Sequence, residues 1–385
     1  MTTFYEFFAG GGMARAGLGK GWSCTFANDV SEMKGHVYAK NWGNNHLIVN
    51  DVANVSEGQL PGVADLAWAS FPCQDLSLAG NYEGIGHRYS KNKTRSGTFW
   101  PFWALMKRLA DEQRAPKIIA LENVYGVLRS NQGNDFRAIA SAFSGAGYRF
   151  GAMVIDARHF VPQSRPRVFF ISVRKDVRLA PELLSASPDS LWHPRALLEA
   201  YELLSREARR KWVWWNLPVP SRRQQIFNDI ISNKPVGVTW HTKEQTANLL
   251  SIMSDKNLAK VKDAQKEKKR VVGGLYRRTR VEKGERKQRA EVRFDDVSGC
   301  LRTPAGGSSR QIILVVKGKS VRSRLLAPLE AAKLMGLDEN FILPTRYNDA
   351  YHVVGDGVVV PVVRYLSEHL FEPISAETSF SLAAE

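Results

Sequence analysis

Cysteine is scarce in this sequence. Cys24, Cys73 and Cys300 are the three in 385 residues. An odd, sparse set without CxxC spacing excludes a disulfide framework and a thiolate zinc site, so no metal is expected. Long apolar runs are also missing. No stretch approaches the roughly 20 residues needed to cross a bilayer, so no membrane contact is expected. The chain starts directly on a strand-like run, Thr2–Phe8, with no basic n-region or cleavage site. Together these absences predict a reducing, cytoplasmic setting in which a free thiol survives. Acid is in short supply too. Against 54 Lys and Arg stand 38 Asp and Glu, a formal net charge of +16. Such an excess points to a polyanionic partner, most often nucleic acid.

What is present, over residues 1 to about 174, is an alternation of periods. Thr2–Phe8, Trp22–Asn28, His46–Val49, Asp65–Ser70, Lys117–Leu121, Arg149–Ile155 and Val168–Val173 read as strands. Met13–Lys20, Ser31–Trp42, Thr98–Asp111 and Asp135–Phe143 carry helical spacing. Strands alternating with helices imply an α/β fold with a mostly parallel sheet covered on both faces. Ligands of such sheets bind at the carboxyl ends of strands, where Glu6, Asp29, Asp51, Cys73 and Glu122 collect on one predicted rim. From about 175 the pattern breaks. The aromatic run Trp212-Val213-Trp214-Trp215 appears, and residues 256–293 are crowded with Lys and Arg. A second, basic domain is placed there; its charged stretch reads as a nucleic-acid surface, with a partly disordered arm as the alternative. Gln311–Lys317 reads as a strand, Leu329–Met335 as a helix after Pro328, and Val358–Phe371 as a return to the first domain.

Four stretches carry chemistry. Phe7-Phe8-Ala9-Gly10-Gly11-Gly12 joins a strand to a helix, and its glycines allow close approach of a ligand. Asp29 and Asp51, after the next two strands, suit the ribose and the adenine of an adenosine-bearing ligand, although each alone reads as a loop cap. Phe71-Pro72-Cys73-Gln74 ends a buried strand and opens a long glycine- and cation-rich loop, Gln74–Gly97, of the kind that acts as a lid. Cys73 is the candidate nucleophile, against the plain alternative of an inert core thiol. Glu122-Asn123-Val124 ends another buried strand and offers a proton donor. Gln163-Ser164-Arg165-Pro166-Arg167 places two arginines two apart. In extended chain they would share a side, where their forks suit a carboxylate, a phosphate or a base edge.

In this order, these stretches resemble the DNA (cytosine-5)-methyltransferase family, bacterial or phage type. The segment Arg324–Gly336 and the end motif Gly355-Asp356-Gly357-Val358 support the likeness. The resemblance implies a methyltransferase (Rossmann-like) sheet over residues 1–174 plus 337–385, and a smaller target-recognition domain over 175–336. It implies S-adenosylmethionine as methyl donor, held by Phe7, Gly10, Gly12, Asp29, Asp51, Pro72 and Asp356. It makes Cys73, Glu122, Arg165 and Arg167 catalytic on a cytosine flipped out of the duplex. It sets Gln74, Ser77, Arg88 and Arg95 of the loop, with Gln163, against DNA. Arg302 and Thr303 are candidates for reading bases. Duplex DNA is the implied partner of a monomer, a restriction endonuclease an implied companion by function, and the nucleoid the implied place of work. The chain departs from the family at Met13, where glycine is usual, at Asp356 (asparagine), at Gly357 (alanine or serine) and at Leu329 (arginine). Two other readings stay open: the same chemistry on tRNA cytosine, or a DNA-binding protein that keeps the fold without turnover.

Overall fold

The computed structural model describes residues 1–72, 95–282, 284–303 and 310–377. They form two compact units, Met1–Asp156 with Pro166–Val219 and Val358–Glu385, and Ala157–Arg165 with Pro220–Gly357.

The first unit is built on a seven-stranded sheet. Its strands are β1 (Thr2–Phe7), β2 (Trp22–Asp29), β3 (Leu47–Val49), β4 (Leu66–Ala69), β5 (Ile118–Val124), β6 (Arg149–Asp156) and β7 (Pro166–Val173), in the order β3-β2-β1-β4-β5-β7-β6. All neighbours run parallel except β7, which is antiparallel to both β5 and β6. The mostly parallel α/β sheet expected from the alternation is therefore present. Helices α1 (Met13–Leu18), α2 (Glu32–Trp42), α3 (Phe99–Asp111) and α4 (Asn134–Gly145) lie between the parallel strands in sequence. Strands covered on both faces read as near-continuous apolar runs, and β4 and residues 118–123 of β5 are buried throughout. The strand order reverses between β1 and β4. In an open α/β sheet, that reversal leaves a crevice beyond the carboxyl ends of the two strands. The glycine loop leaves β1 there, and Phe71-Pro72 leaves β4 there.

Residues 175–219 pack with this first unit. They hold β8 (Leu184–Ser185), α5 (Arg195–Glu202), α6 (Arg206–Lys211) and β9 (Trp214–Trp215). β6 is an edge strand, and edges need covering. Val213 N–H donates to Phe150 O at 2.8 Å, and the Trp212 ring packs on Phe150 and Phe136. The aromatic run that looked like the start of a new domain is thus the cover of the sheet edge. The compact units divide at 219/220 rather than at 174/175.

The second unit has a four-stranded antiparallel sheet of β10 (Arg270–Glu282), β11 (Glu285–Arg293), β12 (Ile312–Lys317) and β13 (Ser320–Leu325), in the order β11-β10-β12-β13. Helices α7 (Phe227–Ile230), α8 (Lys243–Ser251), α9 (Asp255–Lys266), α10 (Pro328–Leu334) and α11 (Tyr347–Asp356) belong to it. Leu249 of α8 and Val261 of α9 join Leu275, Val292 and Leu314 in its core. Within that unit the Arg324 guanidinium grips the Glu330 carboxylate bidentately at 2.6 and 2.7 Å, both side chains buried.

The chain then returns to the first unit in α12 (Val360–Leu366) and α13 (Glu372–Ala376). There α12 lies so close to α1 that a side chain on Gly17 would collide with Val363. Among the described residues, no helix is long and apolar enough to cross a membrane.

Candidate active site

The glycine loop is shaped by what lies beneath it. Gly12 has φ +79°, a conformation that favours glycine, and a Cβ there would run into the Trp42 ring. Trp42 Nε1–H in turn donates to Gly11 O at 3.0 Å. Above Gly10 (φ +57°) there is open space. Beside it Asp29, nearly buried at the end of β2, accepts from Gly10 N–H and Ser31 N–H, each at 2.8 Å. Its carboxylate therefore ties the loop to the start of α2. Asp51 is exposed and accepts from Ala53 N–H at 2.9 Å, capping a short 3₁₀ turn. The two phenylalanines before the loop part company. Phe7 is fully buried between Phe26 and Phe102. Phe8 has φ +55° and is half-exposed at the strand end. An expectation that placed Phe7 against a ligand thus meets a ring already enclosed by the core, and Phe8 is the ring at the rim.

Glu6, one step before Phe7, is buried in β1 beneath the loop and accepts from Arg15 N–H in α1 at 3.2 Å. Burial pushes its carboxyl up to about 8 from the ordinary 4.5. Nearby, Arg15 Nη1 donates to Tyr38 OH at 3.1 Å and lies 2.5 Å from His46 Nε2. The Tyr38 OH also meets Cys24 Sγ at 3.4 Å, and burial pushes that thiol up to about 12. Cys24 is thus a packed, protonated thiol rather than a nucleophile. Because the folded protein holds on Glu6 a proton that the unfolded chain releases, the stability it contributes is full below pH 4.5 and lost as pH rises through about 8. Melting curves of wild type should fall over that window by on the order of a few kcal/mol relative to E6Q. Parallel pH profiles for the two proteins would refute this role.

Across the crevice, the β4–β5 register pairs Ala69 with Leu121, which sets Glu122 level with Ser70 and Asn123 level with Phe71. Asn123 Nδ2–H donates to Phe71 O at 3.2 Å. The lead-in to Cys73 is thereby fastened to the strand that carries Glu122. Glu122 itself faces Arg167 on β7, with Nε to Oε1 at 3.0 Å and side-chain exposures of 8% and 14%. A nearly dry carboxylate–guanidinium pair of this kind is held by charge and geometry together.

The arginine motif does not act as one extended stretch. β7 begins at Pro166, so Arg165 lies outside the strand, and the two arginines belong to different compact units. Arg165 is buried in the second unit. Its guanidinium donates to Leu301 O at 2.9 Å and to Gly355 O and Gly357 O at 2.8 Å each. It clamps backbone, which is a positioning role. Gln163, expected at DNA, is fully buried. Its amide donates to Leu334 O at 2.8 Å and accepts from Leu301 N–H at 3.0 Å. In the same unit Arg302 is exposed, and the Thr303 hydroxyl donates to the exposed Asp356 carboxylate. Pro72 is half-exposed at the end of the described lead-in. Cys73, Gln74, Ser77 and Arg88 lie outside the described residues, as does the side chain of Arg95. Among the described residues, no group of three or more His, Cys, Asp or Glu could hold a metal ion.

The family model for C-5 cytosine-specific DNA methylases matches residues 2–372. The type II methyltransferase M.BsuFI of Bacillus subtilis is 30% identical over 200 residues, 51% of this chain and 46% of that enzyme, so the chain spans less than half of that relative's length. The type II methyltransferase M.HhaI of Haemophilus parahaemolyticus is 23% identical over 372 residues, 95% of this chain and 93% of that one. The crystal structure of S. pombe Dnmt2 methyltransferase aligns with a TM-score of 0.56 at 15% identity, over 97% of this chain and 99% of that one, a likeness of fold. The family match begins on the first residue of β1 and ends on the first of α13, so it takes in the whole sheet and both partners of the Glu122–Arg167 pair. On that match, the chain belongs to the C-5 cytosine-specific DNA methylase family.

Proposed function

We propose that this chain methylates C5 of a cytosine within a specific DNA sequence, the base being turned out of the duplex and activated by a covalent bond from Cys73 to C6. The observation that carries this reading is the fastening of Phe71, two residues before Cys73, to the strand that bears Glu122, whose carboxylate pairs with Arg167 of β7.

S-adenosylmethionine is the methyl donor of this family, and the residues present fit it. The space above Gly10 is open, the Asp29 carboxylate stands beside it, and Phe8 offers a ring at the same rim. Asp29 suits the ribose hydroxyls and Asp51 the adenine amino group, with Gly10, Gly12 and Pro72 around them. Bound there, the donor supplies an electrophilic methyl group.

The chain's own residues do the rest. Cytosine C5 is a poor nucleophile. Addition of the Cys73 thiolate at C6 breaks the C5=C6 π bond and makes C5 enamine-like. Glu122 hydrogen-bonds N3 and the exocyclic amino group and relieves charge as the adduct forms. Arg167 holds Glu122 in place and reaches the O2 side of the base. Once C5 carries the methyl group, solvent water takes the C5 proton, the C–H electron pair re-forms C5=C6, and the C6–S bond breaks to return the Cys73 thiolate. C6 is out of reach in a stacked duplex, hence the flipped base.

The same reading makes duplex DNA the partner of a monomeric enzyme in the cytoplasm and on the nucleoid. A restriction endonuclease would be its companion by function. Bisulfite sequencing of DNA from cells expressing the protein tests it. Protected cytosines should recur in one sequence context. Full conversion everywhere, with folded protein present, would sink the proposal, and methyl transfer to tRNA instead of duplex DNA would redirect it.

A further inference from the structure

The charged stretch of the second unit is an ordered two-stranded ribbon with two different faces. β10 pairs with β12 only as far as Leu275. From Tyr276 to Glu282 its ladder is with β11 alone, through Arg278↔Arg289, Thr279↔Gln288, Arg280↔Lys287 and Val281↔Arg286. Seven residues at about 3.3 Å each make a ribbon of roughly 23 Å beyond the sheet.

Residues directly opposite share a face, and successive residues alternate. One face therefore carries all the acids of the ribbon. There Glu291 pairs with Arg280 at 2.5 Å and with Arg278 at 3.5 Å, Lys287 pairs with Glu285 at 3.1 Å, and Arg289 grips Glu282. On that face four cations meet three acids, and each cation is ion-paired. The other presents Thr279, Val281, Arg286 and Gln288, all exposed, with Val281 at 70%. No acid stands on it, and nearer the sheet it runs into the core through Ala290 and Val292.

We infer that the face bearing Thr279, Val281, Arg286 and Gln288 reads base edges in the major groove of the substrate duplex. The major groove admits a two-stranded ribbon. The four side chains are of the types that discriminate there. Arginine matches guanine, glutamine matches adenine, a threonine hydroxyl matches either, and an apolar methyl meets the thymine methyl. An acid-free cationic face complements a polyanion in a chain of net charge +16. The cations of the opposite face are engaged by carboxylates of the same face, whereas Arg286 shares its face with no acid. This inference rests on the DNA methyltransferase reading, and it adds which face of which element selects the sequence.

Selection of duplexes from a randomised pool by the full chain tests it without requiring turnover. Wild type should enrich one sequence family. The double variant R286A/Q288A should lose roughly tenfold or more of the discrimination at one or two positions of that sequence. The opposite-face variant R278A/K287A should keep the wild-type preference. All these side chains are exposed, and equal melting temperatures would verify folding. A wild type that enriches no sequence, an R286A/Q288A protein with undiminished discrimination, or equal losses from both faces would overturn the assignment. Methylation of the selected duplex is scored separately. A selected sequence that is never methylated sinks the catalytic reading and leaves the ribbon assignment standing.

Discussion

Cys73→Ala should abolish the covalent complex that wild type forms with a duplex carrying 5-fluorocytosine, and should lower methyl transfer to ordinary DNA by more than ~10³-fold. Fluorine at C5 cannot leave as a proton does, so the adduct at C6 persists once the methyl has been transferred, and it migrates as a stable protein–DNA species. The other two thiols offer no substitute. Cys24 is half-buried against Tyr38, and burial pushes its thiol up. Cys300 is in the second unit, where Arg165 Nη1 donates to its sulfur at 3.4 Å. The replacement itself should be mild for folding, because the segment before it is anchored from Asn123 and by the buried Phe71 ring. DNA binding should therefore survive. Gel analysis of the trapped species decides the matter. A trapped complex with the alanine variant, or none with wild type, would defeat the nucleophile assignment.

The second large effect is expected at the Glu122–Arg167 pair. Glu122→Gln keeps the shape of the side chain but cannot share a proton with the base, and kcat should drop by about 10²–10⁴-fold while DNA affinity changes little. Arg167→Met should act differently. It leaves a nearly buried carboxylate without its partner, which costs about 3–5 kcal/mol of stability. Lysine cannot replace the guanidinium fork at such a site. Combining the two changes separates the roles. With the carboxylate already neutralised by E122Q, R167M should cost markedly less stability than it does alone, by about 1–3 kcal/mol. Denaturant melts of the four proteins measure this coupling. Strict additivity would mean that the ion pair seen at 3.0 Å contributes nothing to holding Glu122.

What the sequence makes legible varies with the kind of residue. The rim acids and the β4 exit were readable because they sit where an apolar run stops, which is a local signal. Asp29 stands at its strand end as expected, with Gly10 N–H on its carboxylate. The choice between Phe7 and Phe8 was not readable. A strand buried on both faces gives no alternation to say which ring points where. Arg165 and Arg167 were misaligned for a related reason, since the two-residue period holds only inside a strand and β7 starts between them. Gln163 looked like a surface amide, and its burial depends on the Leu334 carbonyl, 171 residues along the chain. The β10–β11 ribbon left no periodic trace because both faces of its outer part are polar, so hydrophobic alternation fails there. The tryptophan run was visible, but not that an open sheet edge needed it.

The contact between α1 and α12 sets an order on the making of the protein. Trp22 Nε1–H donates to the Ser367 hydroxyl, 345 residues later, and Gly17 is fitted to Val363. At translation speeds of about 5–20 residues per second, that partner emerges roughly 17–70 s after the helix it backs. Until then α1 lacks its contact with Val363, and the first unit is unfinished although all seven strands of its sheet have already been synthesised. A nascent chain, or one stopped before Val360, would therefore lack the contact that backs the helix following the glycine loop. The first unit would be complete only as the last stretch of the polypeptide, from Val360 on, arrives.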